Sequence, residues 1–145
     1  MFQSQIIAVL LFLPLIACQV QGQTSTKSDL SQITELIGNY AVSGDKQDAA
    51  ALEGMTHTDF RIVFRISDEQ TITLPKSVYL DKIKTKEFGG DKRSVEIQSV
   101  DLKAGKTAFA NVVLRSEKAT MSNFLTFVKE GGTWKLVADT AFMEE

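Results

Sequence analysis

The chain has 145 residues, 43% hydrophobic and 23% charged, with a formal net charge of −2. That length suits one domain with a real core. The near-neutral balance leaves no electrostatic footprint for nucleic acid or for an anionic membrane surface. The most basic stretch, "KIKTKEFGGDKR" (82–93), is interrupted by Glu87 and Asp91 and reads as a solvated helix end and loop.

At the N-terminus, "MFQSQ" leads into "IIAVLLFLPLI" (6–16), an uncharged apolar run followed by small and polar residues. A bilayer-spanning helix needs about 20 apolar residues, so this run has instead the length and position of a signal-peptide core. No Lys or Arg precedes it. "LIAC" (15–18) resembles the bacterial lipobox, which implies cleavage before Cys18 and a lipid on that cysteine. The alternative is cleavage after "VQG" (20–22), where Val20 and Gly22 meet the small-residue preference. On either reading residues 1–22 are an export signal, and the mature protein is periplasmic, membrane-anchored as a lipoprotein, or secreted. Cys18 is the only cysteine, so the folded domain holds no thiol for disulfides, nucleophilic catalysis or metal ligation.

"QVQGQTSTKS" (19–28) is polar and small and reads as a flexible tether, with the domain occupying 29–145. Leu30, Ile33, Leu36, Ile37 and Tyr40 recur at helical spacing, with Ser28 or Asp29 available as a cap and Gly44 as a stop. Asp45 or Asp48 can start a shorter helix through "AAALEGM". The period then becomes two: in "FRIVFRI" (60–66), Phe60, Ile62, Phe64 and Ile66 share one face. "SDEQ" is a turn, "TITL" (71–74) a return strand, and Pro75 opens a helix through "KSVYLDKIK" with Val78, Tyr79 and Ile83 inward. In "SVEIQSVDL" (94–102) the apolar parity changes midway, as a bulge at Gln98–Ser99 would produce. "TAFANVVLR" (107–115), "TMSNFLTFVK" (120–129) and "TWKLVADTAF" (133–142) complete a meander. Its last turn, "EGG", supplies the positive φ of a tight hairpin.

The order is α-α-β-β-α-β-β-β-β, an α+β class. Long antiparallel strands twist, and a bulge bends them further. Three helices with one apolar stripe each must share one face of the sheet. A bent sheet roofed by helices makes a cone deeper than its side chains can fill, and a pocket follows.

Two stretches, "YAVSGDKQDAAALEGMTHTDF" (40–60) and "SNFLTFVKEGGTWKLV" (122–137), carry a resemblance to the nuclear transport factor 2-like (cone-fold) superfamily. The nearest branch is the exported putative lumazine-binding and SnoaL-like proteins. The resemblance spans 29–142 and implies a cone-shaped α+β roll in which the last two strands form the centre of the sheet. It is specific for fold and weak for function, because the superfamily includes isomerases, dehydratases, cyclases, binding modules and transport factors.

Several side chains are candidates for a site. Trp134 alternates with Leu136, Ala138 and Thr140 and is read as packing. His57, the sole histidine, and Asp59 are read as pinning the turn into the first strand. One histidine with scattered carboxylates gives no metal-ligand cluster, and no cofactor is implied. Asp139 lies in an otherwise apolar strand with Val137 and Ala141 on its own parity. Facing inward it would be a buried acid or base of raised pKa, and facing outward a solvated carboxylate. Asn123 stands where relatives often carry an acid; an amide recognises by hydrogen bonds but does not transfer protons usefully. Tyr40 and Tyr79 fit core stripes and can also orient a polar ligand. These observations lead to an exported domain binding a small apolar or aromatic molecule through Tyr40, Tyr79, Asn123 and Asp139. The alternatives are an isomerase, dehydratase or cyclase using Asp139 for proton transfer, and a homodimeric interaction module.

Overall fold

A computed structural model describes residues 22–144, with side chains from residue 28 onward. The apolar run at 6–16 and Cys18 lie outside the described residues. The helices are α1 (Gly22–Asp45), α2 (Ala49–Met55) and α3 (Lys76–Lys84). The strands are β1 (Thr56–Arg65), β2 (Thr71–Pro75), β3 (Ser94–Lys103), β4 (Thr107–Arg115), β5 (Thr120–Glu130) and β6 (Thr133–Met143). Their order along the chain is the expected one. They form one sheet, β2-β1-β6-β5-β4-β3, antiparallel throughout except for the β1–β6 pair. The closing hairpin therefore sits at the middle of the sheet, turning through Gly131 and Gly132 at φ 55° and 81°.

Helix α1 extends back to Gly22, into the stretch expected to be a tether. Ser28 consequently lies within the helix, where its Oγ accepts from Gln32 Nε2 at 3.2 Å, and it caps nothing. Asp29 does not cap either, because it is buried against β5 and β6. The buried stripe is Asp29, Ile33, Ile37, Tyr40 and Ala41, so Leu30, expected inside, falls one step round and is 43% exposed. In α3 the inner positions are Tyr79, Leu80 and Ile83, and Val78 faces out for the same geometric reason. Asp48 starts α2 as expected, its side chain accepting from the Ala51 N–H.

Strand β3 shows the expected bulge: pairing with β4 slips between Ile97 and Ser99, so Val95, Ile97, Val100 and Leu102 all turn to the concave side. β6 carries a second slip that the sequence did not suggest. Phe127 pairs with Leu136 and Thr126 with Ala138, leaving Val137 as an extra residue. The parity of β6 reverses there. Trp134 and Leu136 face inward, but Ala138 and Thr140 do not continue that face; Asp139 and Ala141 take it over.

The core lies between the concave sheet and α1 and α3. Phe60, Phe127, Ile33, Ile37, Leu52, Ile83 and Leu136 are fully buried, each contributing about 2 kcal/mol of transfer free energy. An aromatic row runs through it, from Tyr40 to Phe60 (6.4 Å), Tyr79 (5.5 Å) and Phe88 (6.4 Å). The two ends of the cone differ. At the β5–β6 turn the Asp29 carboxylate receives Trp134 Nε1–H at 3.0 Å and Lys129 Nζ at 2.6 Å, closing that end. At the other end, beyond Tyr40, side chains leave space.

Candidate functional site

Tyr40 reaches the concave side because it continues the Ile33–Ile37 stripe of α1. Asn123 reaches it by simple alternation with Leu125 in β5. Asp139 reaches it only through the bulge at Val137. Leu125 pairs with Asp139, and Asn123 stands two residues away on β5, a diagonal neighbour on the same face. The three polar groups meet there. Tyr40 donates its hydroxyl proton to Asp139 Oδ2 at 2.9 Å. Asn123 Nδ2 donates to Asp139 Oδ1 at 2.8 Å and to Oδ2 at 3.1 Å.

Asn123 and Asp139 are each only 2% exposed. Burial raises the Asp139 pKa to about 6, against the lowering effect of the Asn123 and Tyr40 hydrogen bonds and of the nearby Arg93 charge. Burial and the adjacent Asp139 carboxylate push Tyr40 well above its ordinary value. Burial likewise pushes Tyr79 up to about 12, opposed by the neighbouring Tyr40 hydroxyl. Both phenols are therefore proton carriers at neutral pH, whereas Asp139 is mainly ionised and within reach of protonation. Asn123 Oδ1 is buried and has no hydrogen-bond partner among the described residues.

These groups form the floor of a cavity of about 500 Å³. Its walls are largely apolar: Ile62, Phe64, Ile72 and Leu74 of the β1–β2 hairpin, Ile83 of α3 and Phe88 just after it, and Leu114 and Met121 of the sheet. Tyr40, Tyr79, Asn123 and Asp139, singled out separately in the sequence, all line it. The outward alternative for Asp139 is thereby corrected: the carboxylate is inside.

One rim residue escaped the sequence reading. Arg93, placed there in a solvated loop, is instead largely buried and lines the cavity. Its Nε donates to Asp45 Oδ1 at 2.6 Å, its backbone N–H to Asp45 Oδ2 at 2.9 Å, and its Nη2 to the Ala41 carbonyl at 3.1 Å. It thus ties the end of α1 to the start of β3. No local pattern marks a pair separated by 48 positions.

The remaining candidates lie elsewhere. His57 Nδ1 accepts the Asp59 N–H at 3.0 Å, and its Nε2 lies 3.3 Å from Glu130 Oε1, at the closed end of the cone. Trp134 packs at the same end. A more open groove of about 560 Å³ beside α3 is lined by Thr58, Asp59, Arg61 and Lys76 among others, and by none of the four floor residues. Among the described residues no group of three His, Cys, Asp or Glu could hold a metal ion, and no helix is long and apolar enough to cross a membrane.

Comparison with known proteins gives a family and a fold. A family model described as putative lumazine-binding matches residues 28–140. No curated protein matches the chain. Among solved structures, an NTF-2 like protein of unknown function from Silicibacter pomeroyi DSS-3 is similar with a TM-score of 0.72 at 17% identity, covering 82% of this chain and 98% of its own. An NTF2-like protein of unknown function from Shewanella baltica OS155 gives the same score and identity over 82% and 96%. A structure described as a putative scytalone dehydratase, from Novosphingobium aromaticivorans DSM 12444, has a TM-score of 0.69 at 16% identity over 85% and 89%. At such identities these likenesses establish the fold alone. With the family match over most of its length and the cone built as described, the chain belongs to the putative lumazine-binding family and has a nuclear transport factor 2-like fold.

Proposed function

We propose that this domain binds a small, largely apolar or aromatic molecule in its cavity and acts as a binder, not a catalyst. Tyr40, Tyr79, Asn123 and Asp139 are the polar contacts of that site. The single observation carrying the reading is the cavity of about 500 Å³, with apolar walls and a buried polar floor at one end. Pockets that enclose small molecules have this composition, with few polar groups fixing orientation. Two features weigh against catalysis. Asp139 already accepts three internal hydrogen bonds, and the neighbouring amide of Asn123 cannot exchange protons at neutral pH. The domain works outside the cytoplasm, exported by residues 1–22 and either lipid-anchored through Cys18 or released after Gly22. Native mass spectrometry of the protein extracted mildly from its own envelope tests all of this together. It is expected to show a mature N-terminus at Cys18 or Gln23 and a retained small molecule. An empty protein that no aromatic or apolar compound stabilises would overturn the binding reading.

A second reading has a specific observation behind it. Asp139 lies in a cavity with a pKa raised to about 6, beside two phenols that keep their protons. That arrangement suits proton abstraction next to a carbonyl polarised by a tyrosine, the chemistry of an isomerase or dehydratase. Incubating the retained molecule with protein in heavy water separates the readings: deuterium uptake lost in Asp139→Asn indicates an enzyme, and no uptake a binder. A homodimer is compatible with either. Phe109 and Phe124, 48% and 50% exposed, stand diagonally on the convex face of β4 and β5 and form a candidate contact. Sedimentation showing only monomer would remove it.

A further inference from the structure

The charges around the cavity are not equivalent. Glu87, Asp91, Arg93 and Asp139 are its charged lining residues. The three at the rim each have a counter-ion: Lys82 for Glu87, Lys118 for Asp91 and Asp45 for Arg93. Asp139, at the floor, is held by neutral donors alone, from Tyr40 and Asn123. An ionised carboxylate can only accept, so it forces Asn123 to turn its NH2 inward against it. The other end of that amide, Oδ1, is left buried without a partner among the described residues. The floor thus holds one carboxylate without a salt-bridge partner among the described residues and, enclosed beside it, one unused acceptor. Against them stands the Tyr79 hydroxyl, beside that of Tyr40. The side walls are apolar up to Ile66 and Ala119 at the mouth.

From this juxtaposition, and resting on the binding reading above, we infer that the cavity selects apolar ligands whose inner end is an uncharged or cationic N–H or O–H donor, inserted head first, and rejects anionic ones. A donor at the inner end satisfies Asn123 Oδ1 once the amide shifts to meet it, because that oxygen is enclosed and its unpaired burial costs free energy. An anionic head would enter a low-dielectric space already holding a carboxylate, where like charges repel strongly. The groups facing Asp139 are Tyr40 from α1, Tyr79 from α3, Asn123 from β5 and, ahead of β3, Arg93 with its partner Asp45. Arg93 is the cation whose charge acts on Asp139, and its side chain is committed to Asp45 and to the Ala41 carbonyl.

The test uses four probes with one octyl body: octanol, octylamine, octyl methyl ether and octanesulfonate, titrated by calorimetry against the full mature protein. At pH 8 octanol and octylamine bind. The ether, which has no donor, binds about fivefold more weakly than octanol. The sulfonate, ionised at every pH used, binds at least about tenfold more weakly. At pH 5 Asp139 gains its proton and the sulfonate deficit shrinks severalfold, as it does at pH 8 in Asp139→Asn. The pH arm stands alone if that variant does not fold. Failure of all four probes to bind counts against the cavity as a ligand site. Binding of the ether or the sulfonate as tightly as octanol overturns the selection rule while leaving the site. A sulfonate deficit unchanged at pH 5 overturns the role given to Asp139.

Discussion

Trp134 and Lys129 converge on the same oxygen of Asp29, and this junction between α1 and the closing hairpin is the clearest structural polar contact in the molecule. The Lys129 ammonium also lies 5.7 Å from the Trp134 ring centroid. Trp134→Phe keeps most of the apolar surface but removes the Nε1–H, so it should lower stability by about 1–3 kcal/mol, read from urea denaturation at pH 7. Two buried aspartates then give opposite pH dependences. Hydrogen bonds from Lys129 and Trp134 hold the Asp29 pKa below the ordinary 3.8, so its stabilising contribution is present above that value and is lost as pH falls through the lowered pKa. Burial raises Asp139 from 3.8 to about 6, so its contribution is full below 3.8 and is lost as pH rises through about 6. The shift corresponds to about 3 kcal/mol of stability lost across that window. Chemical denaturation of wild type and Asp139→Asn between pH 4 and 7 should show a downward slope that is present in the first and flattened in the second; equal slopes would contradict the buried, titrating carboxylate.

At the level of elements, glycines in two turns hold positive φ angles that side chains adopt only at a cost. Gly131 and Gly132 turn the β5–β6 hairpin with left-handed φ and open space around them, so only backbone preference is at stake. Gly132→Ala should therefore cost about 1–2 kcal/mol without altering the fold, measured as a shift in denaturation midpoint at unchanged slope. Gly89 is different. Its φ is 77°, and a Cβ there would lie 2.1 Å from the Gly44 carbonyl oxygen, where α1 ends. Gly89→Ala must push the 86–91 loop away from α1 and widen the cavity mouth, which both residues line. Faster amide exchange in residues 86–93, with the β5–β6 centre unchanged, is the expected signature.

For the whole molecule, the position of β6 sets the consequences of its loss. β6 pairs with β1 on one side and β5 on the other, so the last strand in the chain joins the two halves of the sheet. A chain ending at Gly132 would leave two long edges unpaired and uncover Phe127, Leu125 and Phe60. Such a truncation is expected to lose cooperative thermal unfolding and near-ultraviolet dichroism altogether. The reason for a tight closing turn follows: the final two strands must register correctly for either half to bury its apolar face.

Alternation, helical spacing and turn residues were enough to place nine elements in order, and the parity change at Gln98–Ser99 located a bulge from sequence alone. Those features are local: each depends on residues within a few positions of one another. The slip at Val137 had no such mark, because Leu136, Val137 and Ala138 are all small or apolar and tolerate either face. It is set by how β6 pairs with β5 and β1, and it alone turns Asp139 inward. The same distinction separates Asp48, a cap read from its neighbours, from Asp29, whose partners lie about 100 residues away and which left the capping role for a buried one. The sequence by itself determined which segments become helix and strand, through short-range preferences. Only the tertiary structure decided which polar groups are enclosed, because enclosure depends on pairings between distant strands that no short window contains.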